Sequence, residues 1–161
     1  MRIKTKVRRA FKRFMEVERA LLSAKTNERS LTHRLAIQVE RLFPQYDVDC
    51  EYNRDGNIPK RLDAFRRPSV PSDDTDGVTV YPDIIVHRRG QRANIVVIEA
   101  KLSSNNLPCV LPQTCHCDRC KLRAYRAEFG YAYAFYVVFP VGRKLSAYSG
   151  ASIGEYVEEI E

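Results

Sequence analysis

Tyr81-Pro82-Asp83-Ile84-Ile85-Val86-His87-Arg88-Arg89-Gly90-Gln91-Arg92-Ala93-Asn94-Ile95-Val96-Val97-Ile98-Glu99-Ala100-Lys101 is the stretch on which the fold turns. It holds two apolar runs separated by a short polar connection, the pattern of an antiparallel hairpin. Val78 to Val86 reads as one strand and Ala93 to Ala100 as the next, linked by His87 to Arg92. The five residues before Glu99 are Asn94-Ile95-Val96-Val97-Ile98, the composition of a strand covered on both faces. That strand delivers Glu99 and Lys101, two apart and so on one face, at its end. Asp83 lies on the partner strand just after Pro82. With a connection of residues 87–92, direct opposition places Asp83 nearer residue 96 than residue 99. A bulge, a twist or a widening of the pair is then needed to bring the two acids together.

Upstream of the hairpin, residues 1–25 hold nine Lys and Arg against Glu16 and Glu18. Val7, Phe11, Phe14, Met15, Leu21 and Leu22 recur at helical spacing, which predicts an amphipathic helix with a cationic face. A second helix starts at Thr26 or Asn27, carries Leu31, Leu35, Val39 and Leu42 as one stripe, and stops before Pro44. Glu28 projects onto that stripe, where a carboxylate is costly without a partner. Its place in the first turn, where the helix dipole favours an acid and the face is not yet buried, is the simpler account on this spacing alone. His33 falls on another face of the same helix and, like His87, reads as structural or solvent-facing. From Tyr46 to Tyr52 apolar and polar residues alternate as in a half-wet strand. Residues 58–77 are irregular, with an acidic tip at Asp73, Asp74 and Asp76.

Downstream, Asp118 to Phe129 predicts a helix ended by Gly130, and Tyr131 to Phe139 a buried strand. Leu145 to Tyr148 fits a short edge strand and Ile153 to Ile160 an acidic terminal helix. The order is that of an α/β domain: a mixed β-sheet flanked by helices, with a central β-hairpin carrying the site. A chain of 161 residues, 44% of them hydrophobic, holds one such core and hardly two. The expectation is a single domain over residues 1–161, with residues 1–25 a basic helix and residues 107–121 a Cys-rich insertion.

Converging carboxylates have a chemistry of their own. Two of them ~4 Å apart repel by about 4 kcal/mol at an effective dielectric near 20. They need a shared proton, a cation or a divalent ion, and Mg²⁺ prefers carboxylate oxygens while keeping several waters. A water bound there becomes a nucleophile for phosphorus, and an adjacent Lys101 would orient it, deprotonate it or hold the growing negative charge.

Pro82-Asp83, followed 16 residues later by Glu99-Ala100-Lys101, resembles the PD-(D/E)XK phosphodiesterase superfamily, which includes restriction endonucleases and resolvases. The matching portion runs from about Asn27 to Phe139. The resemblance implies a restriction endonuclease-like fold and a metal-dependent nuclease, expected to act on DNA. Asp83 and Glu99 would be Mg²⁺ or Mn²⁺ ligands and Lys101 the charged catalytic group. Glu28 would be an auxiliary metal ligand or water-positioner, as members add a glutamate from the preceding helix. Lys121 would be the polar residue that many members place on the helix after the hairpin. A catalytically silent nucleic-acid-binding or protein-interaction module on the same fold is the alternative.

The charge suits a nucleic-acid partner. Twenty-seven Lys and Arg, 19 of them Arg, against 20 Asp and Glu leave +7. Lys60, Arg61, Arg88, Arg89 and Arg92 are candidate phosphate contacts. No helix-turn-helix, RNA-binding aromatic motif or zinc finger of standard spacing is present, so sequence preference is not legible. A single site cuts one strand at a time, so a homodimer or larger complex would supply a second cut. The longest apolar run, Tyr131 to Val141, is too short for a membrane helix, and no secretory signal is legible. Cys109, Cys115, Cys117 and Cys120, with His116, crowd into twelve residues, unlike a disulfide framework. A reducing cytoplasm is expected, and structural Zn²⁺, thiols or a disulfide remain open for that cluster.

Overall fold

The computed structural model describes residues 1–24, 26–55, 58–62, 78–106 and 117–161. The predicted acidic tip at residues 73–76, together with Cys109, Cys115 and His116, lies outside the described residues. The elements are α1 (Ile3–Val17), α2 (Arg19–Ser23), α3 (Glu28–Glu40), β1 (Asp47–Cys50), β2 (Arg54–Asp55), β3 (Ile58–Pro59), β4 (Arg61–Leu62) and β5 (Val78–Thr79). They continue with β6 (Ile84–Arg88), β7 (Ala93–Leu102), α4 (Asp118–Phe129), β8 (Tyr133–Phe139), α5 (Arg143–Ala147), α6 (Ile153–Tyr156) and β9 (Val157–Ile160). Five strands form one mixed sheet in the order β1-β6-β7-β8-β9, with β7 and β8 parallel and the other neighbours antiparallel.

Helices cover both faces. Phe14 of α1 packs on Phe139, ring centroids 5.1 Å apart, and Phe139 is the β8 partner of Leu102. Tyr125 of α4 bonds to Glu99, three residues before Leu102 and therefore on the opposite face of β7. α3 packs on α1 and runs across β1, β6 and β7. The sheet core, Ile84 to Val86 and Val96 to Ile98, is wholly buried. Phe14 is 0% exposed at the junction of helix and sheet, so Phe14→Ala should cost about 3–5 kcal/mol of stability in urea unfolding.

The N-terminal segment is broken after Val17 into α1 and α2. Val7, Ala10, Phe11, Phe14 and Met15 are buried, so the cationic face is left outward. Glu18, at the break, is buried and accepts from Arg34 Nε of α3 at 2.7 Å, which pins the two helices together. α3 is capped by Asn27, whose side chain accepts from Ser30 N–H. α4 ends as predicted at Gly130, which takes φ +67°, a conformation open to glycine at no steric cost.

Four sequence expectations fail locally. Residues 78–86 are not one strand: Val78–Thr79 pairs with Arg61–Leu62, and β6 begins only at Ile84. Pro82 has no N–H for a ladder, so the break falls beside it. Leu145–Tyr148 is not an edge strand. α5 occupies Arg143–Ala147, and the outer edge of β8 is taken by β9. Ile153–Ile160 is helical only to Tyr156 and then becomes that strand. The unpaired edge of β8 is a row of backbone groups needing partners, and this outweighs the helical spacing of Ile153, Tyr156 and Ile160. The reading of residues 58–77 as irregular also misses two short ladders, β2 with β3 and β4 with β5.

Candidate active site

The hairpin register resolves the spacing of the acids. Arg88 pairs with Ala93, so the connection is the four residues 89–92 with Gly90 at φ +71°. This tighter turn moves the partner of Asp83 two residues along β7. A bulge between Val86 and His87 moves it one more. Ile84 then pairs with Ile98, and Asp83, one step beyond, lies level with Glu99. Asp83 Oδ2 accepts from Ala100 N–H at 2.8 Å, so the carboxylate replaces the next backbone rung of the ladder. Glu51, in the left-handed region at φ +50°, donates its N–H to the Asp83 carbonyl at 3.3 Å. Backbone strain of this sort gathers at functional sites.

Glu99 is 4% exposed. Its Oε1 has no hydrogen-bond partner among the described residues, while Tyr125 supplies a hydrogen bond to the carboxyl. Burial, then the Asp83 charge beside it, hold the Glu99 carboxyl well above the usual carboxylate range. Burial also raises Asp83, to about 6, against the pull of the Ala100 N–H and the Lys101 charge. The charge of Asp83 opposes ionisation of Glu99.

Lys101 Nζ stands 3.2 Å from Glu28 Oε1 and 3.4 Å from Asp118 Oδ2. Burial lowers its pKa, but Asp118 and Glu28 more than compensate, so Lys101 is held above the ordinary lysine range. In the metal-free chain these two carboxylates favour the charged ammonium. Glu28, at the first position of α3, reaches over the end of β7 and also accepts from Leu102 N–H at 2.9 Å. Both its oxygens are thus engaged. Lys121 donates to Asp118 Oδ1 at 2.8 Å, and the charge of Glu99 helps to raise it above the lysine norm against burial. Asp118, kept below the carboxylate norm by Lys121 and Lys101 despite burial, bridges both lysines.

Of these residues Glu28 and Asp83 line a cleft of about 830 Å³, together with His33, Cys50 and Glu51. His33 is exposed on that wall. No group of three or more His, Cys, Asp or Glu among the described residues forms a ready-made metal cage. A two-carboxylate set nevertheless fits Mg²⁺, which commonly takes one or two carboxylates and completes its shell with waters and phosphate oxygens. The buried Glu99 oxygen without a partner is the observation that favours such an ion.

The basic candidates divide. Lys60 is 0% exposed, its ammonium 5.6 Å from the Tyr52 ring centroid and 5.4 Å from that of Tyr131. That corrects its reading as a surface phosphate contact. Arg89 is held by both oxygens of Asp49 and by Asp47, and so stabilises the hairpin. Arg88 lies over the Tyr46 ring, 5.3 Å from its centroid, and Arg61 and Arg92 are exposed. Another cationic surface was not singled out residue by residue. Arg9, Lys12, Arg13 and Arg41 line a groove of about 560 Å³ between α1 and α3.

His87 is buried, its Nε2 2.8 Å from Asp49 Oδ2 and its ring 4.8 Å from that of Tyr52. Removing Asp49 strands that imidazole. Asp49→Ala should cost about 2–3 kcal/mol in urea unfolding while the folded variant keeps whatever cleavage the wild type has.

Asp118 and Tyr125 are the site residues that the sequence reading missed. The only signal was spacing: Asp118 is one turn before Lys121, and Tyr125 one turn after it, on the α4 face toward β7. Among the described residues no helix is long and apolar enough to cross a membrane. Comparisons with protein-family models, with curated proteins and with solved structures give no match.

Proposed function

We propose that the chain is a metal-dependent phosphodiesterase of the restriction endonuclease-like type, acting on DNA. The observation that carries this reading is the meeting of Asp83, Glu99, Lys101 and Glu28 at one end of the β6–β7 hairpin, with an unpartnered Glu99 oxygen buried among them. Residues 73 positions apart in sequence, Glu28 and Lys101, meet there. An isolated surface ion pair would be worth well under 1 kcal/mol and would not explain a buried acid beside it.

Asp83 and Glu99 would hold Mg²⁺ or Mn²⁺. When bound, such an ion supplies a readily deprotonated water and neutralises phosphate charge. Lys101, as an ammonium, stabilises negative charge growing on the phosphate oxygens. Glu28 and Asp118 aim that ammonium, and Glu28 is a positioning residue in this reading. Tyr125 holds the Glu99 carboxyl from α4 by a hydrogen bond, and the Lys121 charge favours its ionised form. The groove of Arg9, Lys12, Arg13 and Arg41 suits a phosphate backbone, because guanidinium groups match phosphate geometry.

Incubation of the purified protein with plasmid, single-stranded DNA and RNA tests the reading. Cleavage of DNA with Mg²⁺ or Mn²⁺ and none with EDTA is expected. Salt-sensitive binding without turnover, under every metal, would replace it with a silent binding module.

A further inference from the structure

Cys117 and Cys120 stand at the start of α4 with their sulfurs 3.5 Å apart, two ligands where a structural Zn²⁺ site takes four. The far end of β7 offers more. Most cations around the cleft are already held by the protein's own acids. Lys101 and Lys121 share Asp118, Arg29 pairs with Glu51, Arg34 with Glu18, Arg89 with Asp49 and Arg119 with Glu158. Arg143 and Lys144 are exposed and, among the described residues, neither has an ion-pair partner.

Both line a pocket of about 490 Å³ with Thr26, Leu102, Ser104 and Val141, and its described lining holds no acid. Two observations set this pocket beside the catalytic cleft. Leu102 and Ser103 follow Lys101 directly, Ser103 about 7 Å further along the chain, and Thr26 is two residues before Glu28. Arg143 and Lys144 also share a second cavity with Val138, the β8 partner of Lys101, one strand spacing of ~4.8 Å away. Glu155 borders that second cavity and makes an ion pair with neither cation.

The loop that carries the two cations is held in place. Val141 donates its N–H to Ser103 Oγ at 3.0 Å, and Gly142 turns the chain at φ +57°. The Gly142 carbonyl takes the N–H groups of Leu145 and Ser146 at 3.1 and 3.3 Å. Leu145 is buried, which leaves Arg143 and Lys144 outward.

We propose that this pocket binds the backbone phosphate next to the one at Lys101 on the same nucleic-acid strand, with Arg143 and Lys144 as its cations. Arg143 brings a guanidinium fork that matches phosphate oxygens, and Lys144 a compact point charge. Thr26 adds a hydroxyl, while Leu102 and Val141 give the sugar an apolar wall. The separation from Lys101 is about one backbone repeat, so one strand reaches both. The inference rests on the phosphodiesterase reading of the cleft and adds to it a contact that holds the strand beside the cut.

Anisotropy of a fluorescent DNA duplex, titrated with the full chain in EDTA so that no turnover occurs, tests the proposal. Arg143→Gln and Lys144→Gln should each weaken binding at least threefold and together at least tenfold. The slope of log affinity against log salt should fall by about 1 in the double variant. Arg123→Gln removes a charge at the opposite end of β8, near Tyr133, and should weaken binding less than twofold. Inorganic phosphate, titrated calorimetrically, should bind the wild type more weakly than the duplex does. Phosphate binding as tight as the duplex, and lost in Arg143→Gln, would make this a small-anion site and overturn the strand. Unchanged duplex affinity in the double variant overturns the proposal whether or not the wild type cuts DNA. Lost affinity in a chain that cuts nothing under any metal would keep the phosphate pocket and remove the phosphodiesterase reading instead. Both side chains are exposed, and the single variants decide the matter should the double variant fail to fold.

Discussion

Asp83→Asn should abolish cleavage and at the same time stabilise the metal-free protein above neutral pH. The carboxyl of Asp83 titrates at about 6 in the folded chain, against about 3.9 in an unfolded one. The folded state therefore binds the proton more tightly. Stability from this group is fully present below about pH 4 and is lost as pH rises through 6. Two units correspond to about 3 kcal/mol, and the partial exposure of Asp83 brings the figure nearer 2. Asparagine keeps an oxygen for the Ala100 N–H and carries no charge, so the variant should not lose this stability between pH 4 and pH 8. Wild type and variant should thus converge at low pH and separate by about 2 kcal/mol at pH 8 in EDTA. Saturating Mg²⁺ should close the gap by stabilising the wild type alone, since a ligand that binds only the folded state adds stability. Cleavage should fall at least a thousandfold, because an amide cannot replace a metal-binding carboxylate. Urea unfolding at a series of pH values, with and without Mg²⁺, reads the first effect, and single-turnover cleavage reads the second. A variant less stable than wild type at pH 8 would show that Asp83 is a structural acid satisfied without an ion.

Lys101→Ala should lower kcat about 10²- to 10³-fold and leave Mn²⁺ affinity intact or slightly tighter. The magnitude is that of removing one preorganised charge from a transition state. Affinity should survive because Lys101 is a cation near the ligands and not one of them. Stability should change by no more than about 1 kcal/mol, since the ammonium is about one-third exposed and water screens its pairs with Glu28 and Asp118. Lys101→Arg should not restore the rate, because the planar guanidinium cannot occupy the point between the two carboxylates that a compact ammonium fills. Because Lys101 is held above the lysine norm, its loss should remove rate at every pH from 6 to 9 without moving an inflection. Isothermal titration with Mn²⁺ and pH–rate profiles of the two variants check this. An inflection near neutrality that vanishes in Lys101→Ala would identify the lysine as a base instead.

Much of this site was legible because its signals are local. Glu99-x-Lys101 at the end of an apolar run places two side chains on one strand face, whatever surrounds them. Glu28 stood out as a carboxylate on an apolar stripe, and it does point inward, to Lys101 and the Leu102 N–H. Asp118 and Tyr125 carried no comparable signal. An acid at the start of a helix and a tyrosine on its apolar side are ordinary, and only the packing of α4 against β7 gives them a carboxyl and an ammonium to meet. Lys60 shows the reverse error. A lysine next to an arginine reads as solvated, yet the described fold folds its stem inward beneath Tyr52 and Tyr131.

What the sequence alone determined was the set of elements with strong periodicity: the helices carrying Phe14, Leu35 and Leu122, the apolar strands β6 to β8, and the hairpin between the two acids. Apolar spacing is written residue by residue, and each such face must be buried somewhere. The tertiary structure alone decided the rest. It set the four-residue turn and the bulge that bring Asp83 level with Glu99, and it drew Val157–Ile160 from a helical pattern to the open edge of β8. Edge pairing rests on backbone hydrogen bonds that every residue type except proline offers, and exact register on the turn and bulge, so apolar spacing along one strand does not fix either until its partner is in place.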